Sequence, residues 1–147
     1  MYLLDTNIFR ELRMLPKGKA NPNVVAWAQT IKTEQFFTSV VVSMEIERGV
    51  LGLMHKDPVQ GVLLRQWFEH TFKPSMNGRI LPIDETTAAI CATLHVPNKS
   101  PENDAWIAAT ALQHRLILVT RNTADFENVG IQLFNPFDFQ EIGRAHV

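Results

Sequence analysis

The apolar residues of this chain come in short, non-alternating blocks, and each block stops at a polar side chain. Tyr2-Leu3-Leu4 runs into Asp5, Phe36-Phe37 into Thr38 and Ser39, and the block at residues 116–119 into Thr120. A strand that is apolar on both faces must be buried on both faces, the condition of a parallel sheet covered by helices. The longer segments between the blocks carry helical spacing, as in Val24, Trp27, Ala28 and Ile31. The expected fold is therefore a three-layer α/β/α domain.

Strands are expected at residues 2–4, 36–39, 80–83, 116–119 and 131–134, the third being an edge or strand end because of Pro82. Helices are expected at 6–13, stopped near Pro16-Lys17-Gly18, and at 24–33. A third starts from a Ser43 cap and runs to about Lys56, and a fourth spans 59–72 and is broken by Pro74. Asp84 caps a fifth through Leu94, residues 97–101 form a loop, and 103–114 form an alanine-rich helix. A short turn follows near residues 122–126. Residues 1–140 read as a single domain. Residues 141–147, Glu-Ile-Gly-Arg-Ala-His-Val, look foreign to it and match the translation of a sequencing-library adapter.

Composition narrows the function classes. The 147 residues carry 14 Lys+Arg against 15 Asp+Glu, a formal charge of -1. No global field attracts nucleic acid, so contact with it needs a local patch or a metal. The single cysteine, Cys91, forms no intrachain disulfide and fits a reducing cytoplasm. The N-terminus lacks the basic and apolar regions of a secretion signal, and no run of about 18 apolar residues reads as a membrane span.

In an open parallel sheet, ligands bind beyond the carboxyl ends of the strands. Asp5 follows the first strand, and Thr120, Arg121 and Asn122 follow the fourth, with Asp125 shortly after. Glu45 lies in the helix leaving the second strand, and Asp104 opens the alanine-rich helix. Each acid also has a plain structural use. Asp5 suits a helix cap, and Asp104 with Glu102 suits a helix dipole. Glu45 suits a solvated helix face and Asp125 a turn. If the four converge, they cannot all stay ionised without a partner. A hard divalent cation, Mg²⁺ or Mn²⁺, resolves this, and such a site suits phosphodiester hydrolysis by activated water.

These blocks resemble the PIN-domain family of the VapC or FitB toxin type. The residues that carry the resemblance are Leu4-Asp5-Thr6-Asn7, Ser43 to Gly49 around Glu45, Asp104-Ala105-Trp106-Ile107-Ala108-Ala109-Thr110-Ala111, and Val119-Thr120-Arg121-Asn122 followed by Asp125-Phe126, with Phe134-Asn135-Pro136 at the close. Their order and spacing cover residue 1 to about 139. The resemblance implies a five-stranded parallel sheet, an acidic Mg²⁺ or Mn²⁺ site and endoribonuclease activity leaving a 5′-phosphate. It further implies a toxin homodimer, a small antitoxin partner, and DNA contact only through that antitoxin. Carried over by motif, the metal-binding and catalytic acids are Asp5, Glu45, Asp104 and Asp125. Asn7, Thr120 and Asn122 fall at supporting positions. Trp106 departs from the small apolar residue usual after Asp-Ala and is expected to pack at a helix face.

Other residues point elsewhere only weakly. The five histidines lack zinc-motif spacing, and no Gly-rich phosphate loop exists. Arg10, Arg13, Lys17 and Lys19 form a basic cluster that reads as a solvated helix face or as a contact for RNA phosphates. Met44, Trp67, Phe68 and Trp106 read as core or dimer surface. A competing function is a binding subunit of a toxin–antitoxin repressor with little nuclease activity. A phosphotransfer receiver would need paired acids after the first strand and a lysine after the last, and neither is present.

Overall fold

A computed structural model describes residues 1–140, and the foreign-looking stretch 141–147 lies outside the described residues. Five parallel strands form one sheet in the order β3-β2-β1-β4-β5. They are β1 (Tyr2–Leu4), β2 (Phe36–Ser39), β3 (Ile80–Leu81), β4 (Ile117–Val119) and β5 (Leu133–Phe134). The chain builds outward from β1 to β3, then returns to β1's other side for β4 and β5. The strand order therefore reverses between β1 and β4. Right-handed crossovers on the two sides of that reversal lay their helices on opposite faces of the sheet, which gives three layers.

The register follows from the apolar blocks. Leu3 pairs with Leu118 and Leu4 with Val119 across β1 and β4, and all four are at most 1% exposed. Burial of each such side chain contributes about 1.5–3 kcal/mol. The edge strand β3 is shorter than expected. It ends at Leu81 because Pro82 has no N–H to continue the ladder.

The helices are α1 (Thr6–Arg13), α2 (Pro22–Gln29), α3 (Val40–Lys56), α4 (Pro58–Trp67), α5 (Lys73–Ser75), α6 (Glu85–Thr93) and α7 (Glu102–Gln113). The helix leaving β2 starts earlier than expected. Ser39, not Ser43, caps it, its hydroxyl accepting from Val41 N at 3.0 Å. Helix α2 also starts and ends earlier than its spacing suggests. Asn21 caps it with Pro22 at its first position, and Thr30 closes it by donating its hydroxyl to Trp27 O at 2.6 Å. Pro74 does not break the fourth helix. The backbone widens to a π turn at Phe68–Phe72 and then resumes as α5, which places Pro74 inside a new first turn. Phe68 and Phe72 are thereby buried, and Phe72 meets Phe9 of α1 edge to face at 4.9 Å. Asp84 caps α6, as the sequence suggested, and the structure adds a reciprocal box with Thr87.

Candidate active site

The paired register of β1 and β4 decides the first contact of the site. Because Leu4 stands opposite Val119, the residues that follow them, Asp5 and Thr120, leave the sheet side by side. Asp5 still belongs to the ladder, donating its N–H to Val119 O at 3.0 Å. Its carboxylate caps α1, Oδ1 accepting from Thr6 N at 2.8 Å. The plain use as a cap and the chemical use thus coincide. Oδ2 accepts from the Thr120 hydroxyl at 2.8 Å and from Asn7 Nδ2 at 3.4 Å.

Thr120 is fully buried, and its hydroxyl has full hydrogen-bonding capacity in use. It donates to Asp5 and accepts from Asn7 Nδ2 at 3.2 Å and from Asn122 N at 3.1 Å. Asn7 reaches the same loop a second way, its Oδ1 accepting from Arg121 N at 3.1 Å. Asn7 therefore acts through its side chain, whereas Asn122 contacts the network through its backbone N–H.

Glu45 enters from the other side. Strand β2 neighbours β1, and α3 departs directly from its end, so Glu45 comes over Thr6. Its Oε1 accepts from the Thr6 hydroxyl at 2.6 Å and its Oε2 from Asn103 Nδ2 at 3.3 Å. Thr6 and Asn103 were not singled out by the sequence. The available signal was adjacency, since each lies next to a candidate acid and carries a short polar side chain.

Asp104 sits in the first turn of α7, and Asp125 in the 3₁₀ turn Thr123–Phe126 beyond β4. The structure brings these acids together electrostatically. Burial, then the charges of Asp5, Asp125 and Glu45, push the Asp104 carboxyl up to about 6. Asp5 is also raised, chiefly by burial, with Glu45 and Asp125 adding to it and its bonds to Thr120 and Thr6 opposing it.

A cation would relieve that repulsion. Among the described residues, no three His, Cys, Asp or Glu side chains close around one point as they stand. Mg²⁺ does not need that, because it keeps several waters and takes one or two carboxylates. An all-oxygen set without His or Cys suits such a hard ion. The four acids fit a hydrated divalent cation better than a dehydrated, tightly caged one.

Two hollows flank the acids. On the Glu45 side lies a groove of about 110 Å³ whose lining includes Arg10, Arg13, Phe9, Leu64 and Trp67. Part of the basic cluster thus borders the site, while Lys17 and Lys19 lie outside this groove. On the Asp125 side a larger polar cleft of about 500 Å³ opens against the loop after α6. Trp106 packs partly buried on the small α6–α7 core around Cys91, Ala105 and Ala109, its Nε1 donating to Glu102 at 3.1 Å. No helix among the described residues is long and apolar enough to cross a membrane.

Comparison with known proteins gives a consistent result. The family model described as PIN domain matches residues 2–132. The chain is 36% identical to Toxin FitB of Neisseria gonorrhoeae (strain ATCC 700825 / FA 1090) over 143 residues, 93% of this chain and 99% of that protein. It is 29% identical to VapC ribonuclease Y4jK of Sinorhizobium fredii (strain NBRC 101917 / NGR234) over 145 residues, covering 94% and 99% of the two chains. It is similar to a solved structure described as FitAB bound to IR36 DNA fragment, with TM-score 0.83 and 32% identity over 97% of this chain and 99% of that one.

Proposed function

The chain belongs to the PIN-domain family, and from that premise we propose that it is a divalent-metal-dependent endoribonuclease serving as the toxin of a toxin–antitoxin pair. One observation carries this reading. Four carboxylates from separate segments lie at the strand-order reversal, where burial and then the charges of Asp5, Asp125 and Glu45 raise Asp104's proton affinity to about 6. A fold that stores such repulsion at its ligand edge is suited to a cation and a phosphate together. The likeness to a protein named as a ribonuclease agrees with it.

Asp5, Asp104 and Asp125 are the residues assigned to hold Mg²⁺ or Mn²⁺, directly or through water. Bound there, the cation supplies charge neutralisation and a more acidic water for attack on phosphorus. Glu45 completes the shell or accepts the proton of the attacking water. Thr6 and Asn103 aim its two oxygens, and Thr120 and Asn7 hold Asp5 in place. No side-chain nucleophile is required.

The likeness to FitAB on DNA supports a second role, in which an antitoxin partner brings this protein to DNA. A homodimer is part of the same reading. Helices α3 and α4 leave Leu51, Val59, Val62 and Leu63 exposed, apolar surface of the kind that self-association covers.

The test is cleavage of a mixed RNA panel by the purified protein with Mg²⁺ or Mn²⁺, beside Asp104→Asn. Metal-dependent cutting that the variant loses is the expected result. A folded, metal-binding wild type that cuts nothing would favour the DNA-repressor role alone. Equal cutting by the variant would overturn the site assignment.

A further inference from the structure

We propose that the cleft between the 93–101 loop and the turn after β4 reads the base of the nucleotide next to the scissile phosphate. The inference rests on the ribonuclease reading above and goes beyond it by assigning sequence selectivity. The cleft shares a wall with the acids, because Asp125 lines it. Its volume of about 500 Å³ lies within the range of small-ligand sites. A chain whose phosphate sits at the acids therefore has a neighbouring nucleotide at the mouth of this cleft.

The lining chemistry indicates how that nucleotide is held. Asn98 and Asn128 offer amides with both donors and an acceptor, Ser100 a hydroxyl, and Lys99 a cation. Amide and hydroxyl groups match the hydrogen-bonding edges of an unstacked base, and the lysine matches a phosphate. No aromatic ring is among the residues lining the cleft. Stacking, which accepts every base, is thus unavailable there, and hydrogen bonds must provide the grip. The groove on the Glu45 side differs in kind, with the charged side chains Arg10, Arg13 and Glu45 beside Phe9, Leu64 and Trp67.

The loop is also braced from within. Ser100 N donates to His95 Nδ1 at 3.2 Å, and the Ser100 hydroxyl donates to Leu94 O at 2.8 Å. His95 Nδ1 is therefore an acceptor, and its Nε2 lies buried 3.5 Å from Glu102 Oε2 with no hydrogen-bond partner among the described residues. Glu102 is in turn bound by Trp106 Nε1. A side chain that is to select a base must be held before the base arrives, and the two Ser100 bonds fasten the loop to the end of α6.

The experiment uses the full chain and a random single-stranded RNA pool. Cleavage sites are mapped for the wild type and for Asn98→Ala, Lys99→Ala and Asn128→Ala. Bound sequences are selected from the same pool in an Asp104→Asn background. The expected result is a base preference at one position beside the cut, flattened about tenfold by Asn98→Ala or Asn128→Ala, while cutting at the preferred site persists. Lys99→Ala should weaken all sequences alike and lower the salt slope by roughly 0.7. A preference unchanged in both asparagine variants, or no preference in the wild type, would overturn the inference. A wild type that selects a base through these residues yet cuts nothing would support it and refute the nuclease reading instead.

Discussion

The Thr120 hydroxyl donates to Asp5 Oδ2 at 2.8 Å, joining two residues 115 positions apart in the chain. That bond exists because β1 and β4 are neighbours in register, and it is the point where the fold becomes a site.

Removing the bond should cost both stability and function. Thr120→Val leaves Asp5 short of a donor and strips the acceptor from Asn7 Nδ2 and Asn122 N. The expected loss is about 1–3 kcal/mol in a urea melt, because these groups are buried or half-buried. Asp5's proton affinity should rise further, since the Thr120 bond now opposes its increase. Thr120→Ser keeps the hydroxyl and should recover most of the metal-dependent activity. Equal activity of the Val and Ser variants would show that the bond does not position Asp5.

Asp104 gives a pH dependence of definite sign. Its affinity in the folded chain is raised from 3.8 to about 6. A carboxyl raised by folding stabilises the fold while protonated, below about pH 4, and that contribution is lost as pH rises through about 6. The metal-free protein should therefore lose stability across this window. Asp104→Asn should stabilise it at pH 7.5 by on the order of 1–2 kcal/mol, the shift being discounted for solvent screening. The difference should shrink as pH approaches 4, and Mg²⁺ should stabilise the wild type more than the variant. Thermal melts at several pH values, with and without Mg²⁺, check this. A variant less stable than the wild type at pH 7.5 would contradict it.

Gly61 marks the closest approach of α3 and α4. A methyl group there would fall on the Met54 backbone N and Cα, far inside van der Waals contact, where no flexible side chain can give way. Gly61→Ala should destabilise the protein by about 1–3 kcal/mol or more, through displacement of α4. Gly52→Ala, whose methyl would meet nothing within 4 Å, serves as the control. It should be neutral or stabilising by up to about 1 kcal/mol, because alanine favours the helix. Chemical denaturation of the two variants separates packing from propensity.

Much of this protein was legible in one dimension. The three apolar residues before Asp5 and the block before Thr120 identified buried parallel strands and the edge where ligands bind, because burial on both faces removes alternation. Asp84 announced its helix start by local chemistry alone. The order of the motif blocks indicated the family. The start of α3 was not legible, because Ser39 and Ser43 are both competent caps, and only the end of β2 against β1 selects Ser39. The π turn before Pro74 was not legible either, since the contact that accompanies it, Phe72 against Phe9 of α1, joins residues far apart in the chain. The roles of Thr6 and Asn103 appear only once α1 and α7 converge on Glu45 of α3. Local sequence determines which segments are strands and which residues end them, because those choices depend on neighbours along the chain. Which ends meet depends on pairings between segments as much as 115 residues apart, and only the tertiary structure decides them.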